Sequence, residues 1–296
     1  MQVTGFIRPS PKGCVLRRAI ESLTAQEYFS LQPCALASLL RLTATWYEEP
    51  LEIRLVSPQK TVAVTMRTPG ADFELAAGFL YSEGVVSSRE DIHRISYCVE
   101  PDIDGEQRYN IVNVALREGL SVDLPPLERH FFTTSACGVC GKASLEALRL
   151  REYPVIPNGL EVPVEVIYSL SEKLRSAQRV FSTTGGLHAA ALFDAQGQLV
   201  SVQEDVGRHN ALDKLVGSAL LSDELPLSDR IVMVSGRSSF EILQKCLAAG
   251  VPIVCAVSAP SSLAVALAKE FGITLVGFLR GERFNVYSGR ERLHVE

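Results

Sequence analysis

The chain reads as an α/β protein, and three observations carry that reading. Short apolar runs at Ile231–Val234, Val251–Val257 and Ile273–Phe278 alternate with segments of helical period. Each of the first two runs passes into a turn of small hydroxyl residues, Ser235-Gly236-Arg237-Ser238-Ser239 and Ser258-Ala259-Pro260-Ser261-Ser262, before its helix. The first half of the chain lacks this rhythm and has strands that alternate apolar with polar residues, which sets it apart as a smaller α+β unit.

Residues 1–45 carry Pro and Gly punctuation and no sustained period, so they form an N-terminal arm with no assignable regular structure. Residues 46–130 form the small α+β domain. Leu51-Glu52-Ile53-Arg54-Leu55-Val56 alternates as a half-buried strand does. Ser57-Pro58-Gln59-Lys60 turns the chain, and Thr61-Val62-Ala63-Val64-Thr65-Met66 returns it. Asp72 is placed to cap a helix with Phe73, Leu75, Ala76, Phe79 and Leu80 on its apolar face, ended by Gly84. Further strands are expected near Ile95–Val99 and Tyr109–Leu116. Pro125-Pro126 supports a boundary near residues 120–135, and residues 131–296 form the α/β domain. There Arg179-Val180-Phe181-Ser182 is expected as a strand entering the Gly-rich turn Thr184-Gly185-Gly186. Ser238 and Glu241 suit a capping box for the helix bearing Ile242, Leu243, Cys246 and Leu247. A second helix is expected from Leu263 to Phe271.

Length and composition narrow the function classes. A chain of 296 residues with 47% hydrophobic and 21% charged content is ordinary for a soluble globular protein with a large core. The net charge of −5 argues against a protein that coats nucleic acid, although it permits a local basic pocket for phosphate. The apolar region from Ala248 to Leu279 is broken by Pro252, Pro260, Lys269 and Glu270 and supplies no clean membrane span. The first residues lack a basic stretch followed by an apolar one, so a cytoplasmic, reducing location is expected. Seven cysteines in a chain this long are too sparse for a secreted disulfide framework.

Only Cys137 and Cys140 lie close together, in Cys137-Gly138-Val139-Cys140-Gly141-Lys142. Small neighbours give reagents access. The helical pattern from Ala143 and the charge of Lys142 both favour the thiolate, the nucleophilic form of cysteine. A structural zinc site needs further ligands at suggestive spacing, and no second CxxC occurs. A thioredoxin-like dithiol needs a strand-then-helix setting near the chain start. A zinc deaminase needs Pro-Cys-x-x-Cys with an upstream His-x-Glu, whereas Ala136 precedes Cys137 and the only His-x-Glu is His294-Val295-Glu296. No metal is expected. The remaining reading is a thiol that carries a group, with a second thiol beside it.

Other clusters surround this pair. Glu204-Asp205-Val206-Gly207-Arg208-His209-Asn210-Ala211-Leu212-Asp213-Lys214 gathers acids, a base, an imidazole and an amide. As a solvated helix start, Asp205 would cap while Asp213 and Lys214 faced water. As a ligand site, Gly207 would let the backbone approach and His209 would exchange protons near neutral pH. The turns at Thr183–His188, Ser235–Ser239 and Ser258–Ser262 would share one sheet edge if the strands are parallel, where backbone N–H groups bind anions. Arg237 then offers a bidentate donor for phosphate. Phe278-Leu279-Arg280-Gly281-Glu282-Arg283-Phe284 combines aromatics, arginines and a glycine, a composition suited to a base and its phosphates, or to a solvated basic turn.

Together these stretches resemble the formate dehydrogenase accessory sulfurtransferase family, FdhD. The matching segments are the CGVCG run, Thr184-Gly185-Gly186-Leu187-His188-Ala189-Ala190, the Glu204–Lys214 run, Ser235-Gly236-Arg237-Ser238-Ser239-Phe240-Glu241, Val257-Ser258-Ala259-Pro260 and Leu275-Val276-Gly277-Phe278. Thr68-Pro69 and Glu74–Gly84 match in the first half. The resemblance covers about residues 50 to 290 and leaves out the first 45. It implies a three-layer, cytidine-deaminase-like α/β domain with a smaller N-terminal domain, usually dimeric.

It also implies a sulfur carrier, a sulfurtransferase that accepts sulfur from a cysteine desulfurase as a cysteine persulfide. The sulfur passes to molybdenum cofactor in its bis(guanine dinucleotide) form, bound as substrate, before insertion into the formate dehydrogenase catalytic subunit. Cys137 matches the persulfide-forming cysteine and Cys140 its companion, which shuttles sulfur or releases it by forming a disulfide. Phe278, Leu279, Arg280, Gly281, Glu282 and Arg283 match the guanine-dinucleotide loop, although a Cys-Lys-Pro-Gly run of some members is here Leu279-Arg280-Gly281-Glu282. Arg237, His188, Arg208 and His209 are further candidates for the cofactor pocket. The alternatives are a cofactor-binding chaperone that moves no sulfur and a zinc-dependent deaminase-like enzyme.

Overall fold

Alternating burial builds the first sheet. A computed structural model describes residues 47–100, 107–120, 148 and 153–295. Cys137, Cys140, the N-terminal arm and the expected boundary at 120–135 lie outside the described residues. Strand β1 (Glu49–Val56) buries Leu51, Ile53 and Leu55 on one face and pairs antiparallel with β2 (Gln59–Arg67). Helix α1 (Asp72–Ser82) covers that face with Leu75, Ala76 and Leu80. Strand β3 (Ile92–Tyr97) pairs antiparallel with β4 (Ile111–Leu116), which runs parallel to β1, giving the order β2-β1-β4-β3.

The second half begins with the short strand β5 (Val162–Pro163), then α2 (Val164–Ala177) and α3 (Arg179–Thr184). Strands β6 (His188–Phe193) and β7 (Leu199–Asp205) form a hairpin that leads into α4 (Arg208–Leu221). Three strand-and-helix steps follow: β8 (Ile231–Val234) and α5 (Phe240–Ala248), β9 (Ile253–Ala256) and α6 (Ser262–Glu270), then β10 (Thr274–Arg280). Strand β11 (Arg283–Ser288) folds back on β10, and β12 (Leu293–His294) pairs with β5.

The larger sheet has the order β11-β10-β9-β8-β6-β7. Successive residues of its strands enter opposite cores, because side chains alternate across a sheet. Ala190, Leu192, Val232, Val254 and Leu275 pack beneath α4, α5 and α6. Ala189, Ala191, Met233, Cys255 and Val276 pack against Ile167, Leu170 and Leu174 of α2. The result is an α/β fold of helix, sheet and helix layers.

The two sheets are joined where α1 crosses α4. A methyl group at Gly78 would collide with the Asp213 carbonyl, and one at Gly217 with the Glu74 carbonyl. Glycine at both positions therefore lets the helix backbones touch. Around the crossing, buried charges are paired. Lys245 Nζ lies 2.8 Å and 3.0 Å from the two Asp213 carboxylate oxygens, and Ser82 Oγ donates to Asp213 at 3.2 Å. Burial disfavours the Lys245 charge, but the Asp213, Glu83 and Glu241 carboxylates together outweigh it and hold the lysine above its usual pKa.

Three local expectations are corrected. Arg179–Ser182 belongs to helix α3, not to a strand, because Glu204 accepts from the Val180 and Phe181 amides at 2.9 Å and 2.8 Å. Asp72 does not cap α1. It lies one residue inside, where Arg67 donates to both its carboxylate oxygens at 3.1 Å and 3.0 Å, and Ala71 takes the cap position at φ 54°. Ser239, not Ser238, caps α5, and Glu241 turns away to His209.

Candidate functional site

Strands β8, β9 and β10 run parallel, so the turns that follow the first two open at one edge beside the last turn of β10. Strand β6 is antiparallel to β8, which brings its first residue, His188, to the same edge, and β7 ends there at Asp205. The Gly-rich turn before β6 thus joins the edge even though its strand runs the other way. Main-chain hydrogen bonds stitch the turns together. Ser261 N donates to Ser238 O at 2.9 Å and Phe278 N to Ser258 O at 3.3 Å, while Ala189 N donates to Ser235 Oγ at 2.9 Å.

Positive side chains gather here. Gly236 sits so close to His188 that a methyl group on it would lie 3.4 Å from the imidazole Nδ1 and 3.7 Å from Arg208 Cδ. Burial depresses the pKa of His188, and the charges of Arg208, His209 and Arg237 depress it further. Burial and Arg237 act in the same direction on Arg208, whose buried Nε has no hydrogen-bond partner among the described residues. His209 Nε2 lies 3.0 Å from Glu241 Oε2 and 3.1 Å from Ser239 Oγ, and the imidazole's hydrogen bond lowers the Glu241 pKa. With Arg208 and His209 on its first turn, α4 adds the positive end of a 14-residue helix dipole. Mutually repelling cations with an unspent donor make this edge receptive to an anion.

A buried network fixes the start of α4. Asp205 accepts from Gly207 N at 2.8 Å, Asn210 Nδ2 at 3.1 Å and Thr68 N at 3.0 Å, and pairs with Lys214 Nζ at 2.7 Å. Lys214 Nζ also donates to Thr68 O at 2.8 Å, and Asn210 Nδ2 to Met66 O at 2.7 Å. The solvated-helix alternative for this motif fails, since Asp205, Asp213 and Lys214 are all buried. Asp205, Asn210 and Lys214 hold the end of β2 against α4, while Arg208 and His209 reach the edge.

The segment Phe278–Arg283 forms the tip of the β10–β11 hairpin. Its ladder is irregular between Gly277 and Arg280, and Phe278 adopts φ 55°, a left-handed conformation uncommon outside glycine. The bulge leaves Phe278 43% exposed and turns Leu279 wholly into the α2-side core. Leu279 therefore offers no side-chain surface to a ligand. Phe278, Arg280, Glu282 and Arg283 line a groove of about 620 Å³ with Phe284 and with Tyr168 of α2.

The free cysteines among the described residues, Cys98, Cys246 and Cys255, are buried. Among those residues no helix is long and apolar enough to cross a membrane. No three of their His, Cys, Asp and Glu side chains are grouped to hold a metal ion.

Fold and site define an α/β protein with a cationic strand edge backed by a buried ion-pair network. The chain belongs to the FdhD/NarQ family, whose model matches residues 46–294. It is 55% identical over 248 residues to the sulfur carrier protein FdhD of Streptomyces coelicolor, covering 83% of this chain and 87% of that one. It is 51% identical over 250 residues to the protein of the same name from Mycobacterium tuberculosis, covering 83% and 90%. The one from Saccharolobus solfataricus is 46% identical over 248 residues, covering 83% and 90%. A crystal structure from Desulfotalea psychrophila, described as a formate dehydrogenase accessory protein, superposes with a TM-score of 0.64 at 27% identity, covering 84% of this chain and 90% of that one.

Proposed function

We propose that this chain is a sulfur carrier serving formate dehydrogenase. The observation that carries the reading is its similarity, at 46–56% identity over more than four-fifths of its length, to proteins named sulfur carrier protein FdhD. In the finer form of the reading, Cys137 is the carrying thiol. Its thiolate attacks the outer sulfur of a cysteine desulfurase persulfide. The desulfurase S–S bond breaks, its cysteine leaves as thiolate, and a new S–S bond forms at Cys137. The substrate that receives the sulfur is molybdenum cofactor in its bis(guanine dinucleotide) form, on its way to the formate dehydrogenase catalytic subunit. Release of the sulfur as sulfide is balanced if Cys140 attacks the inner sulfur of the Cys137 persulfide, leaving a Cys137–Cys140 disulfide. The diphosphates of the substrate suit Arg237, Arg280 and Arg283, with His188, Arg208 and His209 lining the pocket beside them, and its guanine ends suit the hairpin groove.

The test is persulfide trapping on the whole chain with a cysteine desulfurase and isotopically labelled cysteine, read by peptide mass spectrometry. The labelled sulfur is expected on the Cys137 peptide and absent from Cys137→Ala. An unchanged adduct on Cys137→Ala would overturn the assignment. The cationic edge also suits a chaperone that hands over cofactor without moving sulfur. That second reading requires Cys137→Ala/Cys140→Ala to retain full activation of formate dehydrogenase.

A further inference from the structure

The hairpin groove is lined by an exposed carboxylate, Glu282. Glu282 stands at the tip of the β10–β11 turn between Arg280 and Arg283. Among the described residues none of the three has an ion-pair partner. The groove beside them is aromatic. Tyr168 and Phe284 meet at 5.4 Å between ring centroids, tilted by 48°, and Phe278 contributes an exposed ring from a left-handed backbone position. Such conformations persist where the surroundings impose them, often at ligand clamps. Two cationic groups, flat rings and one acceptor-only carboxylate are complementary to a planar heterocycle that has an anionic tail and two adjacent N–H donors on its outer edge.

Guanine presents that edge, with N1–H and the N2 amino group side by side. Adenine presents an acceptor, N1, at the equivalent place, which an ionised carboxylate repels. We infer that Glu282 is the specificity-determining residue of the groove. Its carboxylate accepts from guanine N1–H and N2–H while the rings of Phe278 and Phe284 stack on the base and Arg280 and Arg283 meet the phosphates. The inference rests on the proposed guanine-nucleotide substrate and names the residue that reads its base.

The experiment is calorimetric titration of the whole chain with GDP, IDP, XDP and ADP. Hypoxanthine keeps N1–H and lacks the amino group, so IDP is expected to bind between GDP and ADP. Xanthine replaces the amino group with an acceptor, so XDP is expected to bind at least about tenfold more weakly than GDP, the scale of one charged hydrogen bond lost. Glu282→Ala is expected to bring GDP, IDP and ADP within a few-fold of one another. Glu282→Gln supplies one acceptor and one donor, and is expected to invert the order of GDP and XDP. Phe278→Ala is expected to weaken all four nucleotides alike, because stacking is indifferent to the base edge.

If Glu282→Ala keeps the wild-type GDP preference, or weakens GDP and ADP equally, the inference is overturned. If the wild-type protein shows no preference for GDP over ADP, the guanine reading of the substrate fails and takes the inference with it. The sulfur-carrying reading is tested separately by the label on Cys137.

Discussion

Lys214 Nζ lies 2.7 Å from Asp205 Oδ2, and the two side chains are 2% and 0% exposed. A lysine and an aspartate nine residues apart thus close a buried ring from the end of β7 to the interior of α4. Thr68 completes it as donor to one and acceptor from the other. Removing one partner leaves a bare charge without water, which typically costs about 3–5 kcal/mol. Lys214→Met is therefore expected to lower the free energy of urea unfolding by that order. An unfolding midpoint within error of wild type would show that the Asp205 charge is satisfied by its amide donors alone.

The α1–α4 crossing predicts a steep response to one carbon atom. At Gly217 a methyl group would meet the Glu74 carbonyl and the Gly78 amide, both backbone atoms that no rotamer change can move aside. Overpacking a close core typically costs about 1–3 kcal/mol. Gly217→Ala is expected at or above the top of that range in thermal and urea unfolding. Gly159→Ala serves as the control, since nothing lies within 4 Å of the position its Cβ would take, and is expected to leave stability unchanged. Equal behaviour of the two variants would refute the steric account.

The strands of the smaller sheet and β8, β9 and β10 of the larger were legible because their apolar residues follow the period of their surroundings. The alternation at Leu51–Val56 marks a sheet with one buried face, and the solid run Ile231–Val234 marks a strand buried on both. Strands β6, β7 and β11 were missed. Ala189-Ala190-Ala191 has weak strand character on its own and is held by pairing with β8 and β7. The site was legible as a set of turns but not as a set of contacts. Glu204, Asp205, Asp213 and Lys214 resemble the exposed charges of any helix start. What buries them is Thr68, Ser82 and the first turn of α3, partners that no local pattern reveals. Leu279 shows the converse, since a residue within a ligand-like loop is turned inward by the bulge at Phe278.

Sulfur chemistry should be confined to cysteines outside the buried set. Burial, opposed by the Lys245 charge, pushes the Cys246 thiol up to about 12, and burial pushes Cys255 higher still. The nucleophile is the thiolate, so both should be inert at neutral pH. Brief treatment of the native protein with iodoacetamide at pH 8 is expected to leave the Cys246 and Cys255 peptides unmodified, and both should react fully once urea unfolds the chain. Rapid native alkylation of either would mean that the core opens far more often than its packing implies.

The edge cluster makes anion binding and stability respond to pH in opposite directions. His188 is pressed towards its neutral form by burial and by Arg208, His209 and Arg237, with Asp205 opposing. Its pKa when unfolded is near 6.5, an approximate peptide value. Because the folded value is lower, the unfolded chain binds the extra proton first as pH falls. The His188 contribution to stability is therefore intact above about 6.5 and is lost as pH drops from there towards the folded pKa. A bound anion reverses the sign of the local field and favours the imidazolium. Pyrophosphate is accordingly expected to bind more tightly at pH 6 than at pH 8, with net proton uptake seen as a dependence of the calorimetric enthalpy on the buffer's ionisation enthalpy. His188→Gln should flatten the pH dependence of binding and remove part of the stability lost between pH 6.5 and 5. An unchanged pH profile in that variant would remove His188 from the anion site.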